Sequence, residues 1–309
     1  MRKVIGIGET VLDIVFRNSQ PQAAVPGGST FNSMISLGRC GIPSAFLSEV
    51  GADKVGEMIK EFMSSNGVTP DHVNSLPQKT PLSLAFLDEK NDADYIFYRD
   101  ASEEHPDFTY PEVTAGDIVL FGSFYALNPA VRPVVKRFLE YAREQGAIVY
   151  YDVNFRPSHV KDLGNIGNAL WENFDFADVV RGSHEDFRTL FGIEDASVVF
   201  EEKISSRCGN FICTYGADPL KVFDRTGLER EYPVAPVETV STIGAGDSFN
   251  AGFIFGLVKL GITREMLTCG LPVEVWDDLI SYAQSFSACC CQSPLNYITP
   301  EFAAALSTF

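Results

Sequence analysis

A glycine-rich turn that leads into a largely apolar stretch is the first place where this sequence predicts chemistry. Residues 242–253 read TIGAGDSFNAGF, and the stretch continues through Gly261. The pattern predicts a buried helix with free N–H groups and a positive dipole end at its start, which is a place to hold an anion. No Gly-Lys-Ser/Thr follows, so the turn is not a Walker A loop. Asp247 is itself an anion, so it either caps the helix or acts on a group beside the bound anion.

A second glycine turn opens the stretch PGGSTFNSMISLGRCG, residues 26–41. Gly27 and Gly28 allow the backbone to turn closely around another group. Ser29 or Thr30 is predicted to cap a helix, with Asn32 in its first turn facing the loop. An ordinary Gly-Ser helix start is the alternative interpretation.

Two further stretches carry candidate binding residues. In DVNFRP (152–157), period-two alternation predicts Asp152, Asn154 and Arg156 on one face of a strand end. Such groups are costly to bury unless they bind a polar ligand or pair with each other, so a structural Asp–Arg pair is the alternative. GIGETV, from Gly6, is only a partial dinucleotide fingerprint, because the third glycine is missing and a strand pattern follows.

The elements that must position these residues alternate between strands and helices. In the segment 130–146 the apolar residues recur at helical spacing, and Gly146 ends the pattern. Apolar strand patterns lie at residues 3–8, 117–123, 147–155, 178–183 and 211–216. This order predicts an α/β fold with a doubly wound, mostly parallel sheet sandwiched by helices, and ligands beyond the carboxyl ends of the strands.

Two stretches lack crossover helices and predict a small β-sheet lid. Residues 9–16 and 81–100 have strand patterns, and the second is a hairpin with its turn near Lys90–Asp92. We therefore predict one domain over residues 1–309, with a lid formed by two insertions at about 9–25 and 80–100.

Composition restricts the partners. The chain has 309 residues, a net charge of −17 and a pI of about 4.6. Nucleic acids and anionic membranes need a basic face, so neither is predicted as a partner, and an anionic substrate needs a local positive site. The start of the chain has no signal-peptide pattern, and the seven cysteines lack metal-pair spacing. These features predict buried, reduced thiols and a cytoplasmic location.

Both glycine turns resemble the signatures of the PfkB, or ribokinase-like, family of carbohydrate kinases, and the resemblance covers essentially the whole chain. It implies that Asp247 is the catalytic base, which takes a proton from a hydroxyl of the acceptor sugar. It also implies that the amides of Gly244, Ala245 and Gly246 form the anion hole for the transferring phosphoryl group. A carboxylate on the acceptor side of that group polarises the hydroxyl, which explains an anion at this helix start.

The resemblance implies roles for further residues. On the acceptor side it implies Asp13, Gly27, Gly28, Asn32, Arg99, Asp152 and Arg156. On the nucleotide side it implies Arg181, Ser183, Thr214, Gly216 and Gln284. Asp186 and Glu185 are implied in Mg²⁺ binding through water.

The sequence departs from the family pattern at several positions. Ser241-Thr242 stands where Asp-Thr is usual, which leaves K⁺ activation open. Ser183-His184-Glu185-Asp186 replaces an N-x-x-E motif, and Pro219 replaces a glycine. The tail QSPLNYITPEF replaces the usual Gly-Ala after the last helix.

These observations predict an ATP-dependent sugar kinase that phosphorylates a primary hydroxyl, with a ketose such as fructose as the acceptor. The resemblance is strongest to the fructokinase and 2-keto-3-deoxygluconate kinase branch, so 2-keto-3-deoxygluconate is an alternative acceptor, and a ribose- or nucleoside-type acceptor is a further one. From other classes, a non-catalytic sugar-binding regulator and an NAD-dependent oxidoreductase stay open. The lid strands of relatives often pair into dimers and an exposed sheet edge needs cover, so the resemblance makes a homodimer through the lid one option, and the oligomeric state stays open.

Overall fold

Strands and helices alternate through most of the chain, as predicted. The computed structural model describes residues 2–87, 93–100 and 108–306, so the predicted turn near Lys90–Asp92 lies outside the described residues. The strands are β1 (Val4–Ile7), β2 (Val11–Arg17), β3 (Gln20–Gly27), β4 (Ser44–Gly51), β5 (Val68–Thr69), β6 (Val73–Leu76), β7 (Leu82–Leu87), β8 (Ala93–Tyr98), β9 (Ile118–Gly122), β10 (Ile148–Asp152), β11 (Val179–Ser183), β12 (Phe211–Tyr215), β13 (Asp218–Phe223) and β14 (Glu229–Tyr232). The helices are α1 (Ser29–Arg39), α2 (Lys54–Ser65), α3 (Arg132–Glu144), α4 (Leu163–Ile166), α5 (Ala169–Phe176), α6 (His184–Phe191), α7 (Ala196–Val199), α8 (Ala245–Lys259), α9 (Arg264–Cys269), α10 (Val273–Cys291) and α11 (Pro300–Leu306).

The chain divides into two compact units, each built from separate segments. Unit 1 comprises Met1–Pro111, Val237–Gly256 and Ser281–Phe309, and unit 2 comprises Glu112–Pro236 and Leu257–Ile280. In unit 1, β4 pairs in parallel with β1, β5 and β6. The prediction of a single domain over residues 1–309 stays a prediction.

A separate four-stranded sheet of unit 1, in the order β3-β2-β7-β8, confirms the predicted small sheet. We call it the lid sheet. β2 pairs antiparallel with β3 and in parallel with β7, so that Asp13 lies opposite Ser83. β7 and β8 pair antiparallel, as the predicted hairpin requires.

Unit 2 contains a series of paired strands. β9, β10, β11 and β12 are consecutive parallel neighbours, and β13 and β14 extend this series antiparallel. Every residue of β9 and β10 is buried, as expected for parallel strands covered on both faces. The apolar face predicted for 130–146 is the buried face of α3, and Gly146 follows its end with a φ of 79°. The fold is thus α/β and doubly wound, with a mostly parallel sheet between helices and a small β lid.

Two further observations concern membrane-spanning helices and the cysteines. No helix within residues 2–87, 93–100 and 108–306 is long and apolar enough to cross a membrane. All seven cysteines are free, but only Cys208, Cys213 and Cys290 are buried as predicted. Cys40, Cys289 and Cys291 are half-buried, and Cys269 is exposed on the short helix α9.

Candidate active site

The start of α8 is fixed by close backbone packing within unit 1. Gly244 precedes the helix with a φ of 78°, and a Cβ at this position would overlap the carbonyl oxygen of Asn296. Only glycine therefore fits the turn, for both steric and conformational reasons. Further along α8, a Cβ at Gly252 would meet the carbonyl of Tyr282 on α10. The predicted buried helix is confirmed, since residues 248–257 are buried.

The carboxylate of Asp247 is held by side chains from the first turn of α1. The Ser29 hydroxyl donates to Oδ1 at 2.8 Å, and the Asn32 amide Nδ2 donates to Oδ2 at 2.8 Å. Ser33 donates to the backbone carbonyl of Asp247 at 2.7 Å. The two glycine turns of the sequence are therefore parts of one site, and Asp247 is oriented by another helix.

The capping role predicted for Ser29 or Thr30 is wrong. Gly28, with a φ of 127°, is the N-cap residue of α1, and the helix has no side-chain cap hydrogen bond. Ser29 is instead the first helical residue, which leaves its hydroxyl available to Asp247. A Cβ at Gly28 would overlap the Glu9 carbonyl, so the close approach predicted for this glycine is present.

Asp13 lies on lid strand β2, against the glycine turn at Gly27 and Gly28. Its side chain is 7 % exposed, and a Cβ at Gly27 would overlap its Oδ2. Burial raises the pKa of Asp13 to about 7, and the negative charge of Asp247 adds to the rise. The Ser83 hydroxyl opposes the rise most, and a hydrogen bond from Asn296 Nδ2 to Oδ2, at 3.1 Å, opposes it less. Asp13, Gly27, Asn32 and Asp247 thus belong to one cluster in unit 1.

Arg99 is paired with a residue that sequence reasoning did not single out. Its Nη2 lies 2.8 Å from Oε1 of Glu9, and the two side chains are 35 % and 24 % exposed. The pair connects the end of lid strand β8 to the segment between β1 and β2. The positive charge predicted for the sugar side is therefore compensated by a carboxylate.

A second polar cluster lies in unit 2, at the carboxyl ends of β10 and β11. Arg181 Nη1 lies 3.0 Å from Oδ1 of Asp152, and its Nη2 donates to the Thr214 hydroxyl at 2.8 Å. An Asp–Arg pair was the alternative interpretation of DVNFRP, but its arginine is Arg181. Three of the predicted residues are therefore brought together.

The alternation predicted for Asp152, Asn154 and Arg156 is wrong beyond Asp152. β10 ends at Asp152, and Asn154 has a φ of 35°, so the backbone turns where the pattern assumed a continuing strand. Arg156 is an exposed N-cap residue of the short 3₁₀ helix that follows.

Asp186, predicted near Mg²⁺, has a local structural role. Its Oδ1 accepts a hydrogen bond from the Phe155 amide at 2.8 Å, and its Oδ2 accepts from the Ser183 amide and hydroxyl. This is a capping box at the start of α6. The side chain of Glu185 is 66 % exposed. Among the described residues no group of three or more His, Cys, Asp or Glu side chains is placed to hold a metal.

The remaining predicted nucleotide residues are placed on two elements. Gly216 lies in the turn between β12 and β13 with a φ of 66°, and a Cβ there would meet open space. Beside it, the rings of His184 and Tyr215 stack with their centroids 5.0 Å apart. Gln284 lies on α10 in unit 1.

This site can be compared with known proteins. The family model described as pfkB family carbohydrate kinase matches residues 1–300. The chain belongs to this family. It is therefore a carbohydrate kinase, as the two glycine turns predicted. The NAD-dependent interpretation of GIGETV is wrong, because β1 is followed by strand β2 where the dinucleotide fingerprint requires a helix.

Several proteins resemble the chain over most of its length. A protein of Geobacillus thermodenitrificans named 5-dehydro-2-deoxygluconokinase is 28 % identical over 252 residues, which cover 75 % of this chain and 72 % of that protein. Another from Bacillus cereus, 5-dehydro-2-deoxygluconokinase 2, is 25 % identical and covers 88 % of both chains.

Solved structures show the same fold. The fructokinase of Vibrio cholerae, in a fructose, ADP and calcium ion bound form, superposes with a TM-score of 0.85 at 20 % identity, covering 99 % of this chain and 98 % of that one. The aminoimidazole riboside kinase of Salmonella enterica gives a TM-score of 0.79 at 22 % identity and covers 99 % of both chains. At these identities the likeness concerns the fold alone.

Proposed function

We propose that this kinase transfers the γ-phosphoryl group of ATP to a primary hydroxyl of a small ketose such as fructose, with Asp247 as the general base. The observation that carries the proposal is the position of Asp247 at the start of α8, with one carboxylate oxygen held by Ser29 and the other by Asn32. An ionised carboxylate has about four lone-pair positions, so a carboxylate that two donors orient can also accept a hydrogen bond from a hydroxyl group.

In the proposed reaction, the acceptor oxygen forms a bond to the γ-phosphorus while the bond to the β-phosphate oxygen breaks. The hydroxyl proton passes to Asp247, and ADP leaves with the electrons of the broken bond. The dipole of α8 and the amides of Gly244 and Gly246 are suited to the charge on the transferring group. The Ala245 amide already donates to the Thr242 carbonyl at 3.2 Å, so we assign it a smaller part in this anion hole.

The acceptor is assigned to the cluster around Asp13. A buried carboxylate beside a glycine turn suits the hydroxyl groups of a sugar, and Glu9 compensates the charge of Arg99, which favours a neutral ketose. The second candidate is a sugar acid such as 2-keto-3-deoxygluconate. The relatives named 5-dehydro-2-deoxygluconokinase favour this class.

ATP and a divalent cation are the proposed cofactors, in line with the ADP and calcium named for the fructokinase of Vibrio cholerae. Both oxygens of Asp186 already accept hydrogen bonds from the protein, so this residue does not fit direct coordination. We assign Mg²⁺ to the nucleotide phosphates, with Asp186 and Glu185 interacting through water. The nucleotide itself is assigned to Arg181, Ser183, Thr214, Gly216 and Gln284.

We propose only weak activation by K⁺. Ser241 stands where many relatives have a carboxylate ligand for the ion, and the Cys290 thiol contacts the Ile243 carbonyl at 3.3 Å. Initial rates in K⁺ and in Na⁺ at equal ionic strength test this, and a strong preference for K⁺ would contradict it.

A homodimer through the lid sheet and a cytoplasmic location complete the proposal. β8 is an edge strand of the lid sheet, and its residues Ile96, Phe97 and Tyr98 are 47 %, 41 % and 57 % exposed. A dimer would cover this apolar edge. The free cysteines support a reducing compartment.

The experiment that tests the proposed function has two steps. Thermal melts with ATP plus Mg²⁺ should show stabilisation that NAD does not produce. ADP release is then measured with D-fructose, 2-keto-3-deoxygluconate, 5-dehydro-2-deoxygluconate and D-ribose. The highest kcat/KM is expected for fructose. If no sugar releases ADP although ATP binds, the transferase proposal fails and the non-catalytic regulator is favoured.

A further inference from the structure

The segment that follows α10 reaches the acceptor cluster in unit 1. Asn296 is 2 % exposed, and its Nδ2 donates to Oδ2 of Asp13, 283 positions away in the sequence. The same Nδ2 would lie 3.5 Å from a Cβ at Gly27. The backbone carbonyl of Asn296 packs against Gly244, where it excludes any side chain. One residue thus contacts the acceptor carboxylate and both glycine turns.

We propose that Asn296 is a positioning residue that determines acceptor affinity, by holding the Asp13 carboxylate ready to accept hydrogen bonds from the hydroxyls of a sugar. This inference rests on the proposed function and assigns a role to a residue of the tail. Asn296 engages Oδ2 of Asp13, and the Ser83 hydroxyl, opposite Asp13 on β7, is a second neutral group that favours the ionised carboxylate. Asn296 acts through Asp13 and does not contact the transferring phosphoryl group.

The surroundings of Asp13 explain why such a donor is needed. Burial and the negative charges of Asp247 and Glu9 raise the pKa of Asp13, and the groups that oppose the rise are two neutral donors, Ser83 first and Asn296 second, with no cation among them. Tyr297 is the neighbouring titratable group of the tail, and burial raises its pKa as well. A neutral amide donor stabilises the ionised carboxylate without forming an ion pair, which would compete with the hydroxyl groups of a sugar.

Loss of the Asn296 donor should shift the pH dependence of kcat/KM for the sugar in one direction. Removing a hydrogen bond to the charged form raises the pKa of Asp13, so more of it is protonated at neutral pH. A protonated Asp13 accepts fewer hydrogen bonds from sugar hydroxyls. The acid limb of kcat/KM for the sugar should therefore move to higher pH, a change that a purely structural role would not produce.

The test uses Asn296→Leu, which removes the donor, and Asn296→Asp, which keeps the shape and adds a negative charge. Ser293→Ala is the matched control. Ser293 is buried in the same segment, and its hydroxyl oxygen accepts a hydrogen bond from the Leu295 amide at 3.1 Å. The sugar is the best substrate of the unaltered enzyme among D-fructose, 2-keto-3-deoxygluconate and D-ribose. Steady-state kinetics give the KM for the sugar and for ATP at several pH values, and calorimetry gives sugar binding without ATP.

We expect both Asn296 variants to raise the KM for the sugar about tenfold or more, the size expected for a lost hydrogen bond to a charged group. The KM for ATP should change less than twofold, and the acid limb should move upward, most in Asn296→Asp. If Asn296→Leu does not fold, Asn296→Asp decides alone. An unmoved acid limb, or equal increases in the KM for sugar and ATP, overturns the inference.

If the unaltered protein binds a sugar without turnover, calorimetry still tests Asn296 and only the transferase proposal fails. If it binds no sugar, both proposals fail.

Discussion

At the level of single residues, the proposed proton transfer depends on how the carboxylate of Asp247 is oriented. A general base must present an oxygen to the hydroxyl within hydrogen-bonding distance, so its rotation matters as much as its charge. Ser29 and Asn32 together fix that rotation, each through one oxygen. Ser33 donates to the backbone carbonyl of Asp247 and not to its carboxylate, which makes it a suitable comparison for Ser29.

Ser29→Ala removes one of the two side-chain donors to Asp247. We expect kcat to fall about tenfold, the order of one hydrogen bond to a charged group, while the KM for ATP stays within twofold. Steady-state kinetics with the best sugar measure this. Ser33→Ala should lower the melting temperature with a smaller effect on kcat. The reverse ranking of the two variants would show that Ser29 does not orient the base.

The types of the residues proposed for catalysis were predictable from the sequence, but their contacts were not. The motifs GGSTFN and GAGDSF indicate a kinase, and they can be recognised in the sequence because the residues of each motif are consecutive. The bond from Ser29 to Asp247 spans 218 positions, and the one from Asn296 to Asp13 spans 283. No periodicity reports such contacts. The unusual tail QSPLNYITPEF was the one signal that pointed toward Asn296.

At the scale of elements, the lid sheet is connected to the segment before β2 by the pair of Arg99 and Glu9. Closure over a sugar would exclude water and so limit the hydrolysis of ATP. A weaker connection should let water reach the transferring group more often. The pair is partly exposed, so we expect its loss to affect coupling more than global stability.

Arg99→Ala should raise ATP hydrolysis without sugar several-fold relative to sugar phosphorylation. Parallel assays of ADP and sugar phosphate measure this ratio. Lys79→Ala is the matched control: Lys79 is an exposed cation in the segment before β7, and its backbone amide, not its side chain, donates to Asp100 at 3.0 Å. An unchanged ratio in Arg99→Ala would mean that the pair does not hold the lid.

Sequence patterns predicted the positions of helices and strands correctly where the same hydrophobic period continued through the whole element. The apolar positions of 130–146 became the buried face of α3, and the lack of crossover helices correctly predicted the lid sheet. The alternation at Asp152 was wrong because it assumed extended backbone beyond the end of β10. A positive φ at Asn154 cannot be read from a period of two.

At the scale of the whole molecule, the net charge of −17 opposes self-association, whereas the exposed apolar residues of β8 favour it. Salt screens the repulsion and leaves apolar contacts largely intact. The proposed homodimer should therefore strengthen as ionic strength rises.

Sedimentation velocity at low and high NaCl tests the dimer. We expect a larger dimer fraction in high salt, and a monomer at both salt concentrations when Ile96→Glu and Tyr98→Glu are combined. Val160→Glu is the control, since Val160 is 45 % exposed in unit 2, away from the lid sheet in sequence. A chain that stays monomeric at every salt concentration would contradict the proposed dimer.

The class of the fold followed from the order of the elements and from signatures near both ends of the chain. The division into two compact units did not, because each unit is assembled from separate segments, and α8 and α10 cross the boundaries between them. Such boundaries depend on tertiary contacts and leave no linker composition in the sequence.

Asp247→Asn tests the proposal that Asp247 is the general base of a sugar kinase. Asparagine keeps the size of the side chain and accepts the bond from Ser29, but it cannot take up the proton. General-base catalysis contributes about 10²–10⁴-fold. We predict that kcat with the best sugar falls by at least that order, with ATP binding nearly unchanged and the fold intact. If Asp247→Asn folds normally and phosphorylates that sugar at a rate close to that of the unaltered enzyme, Asp247 is not the base and the proposed mechanism is wrong.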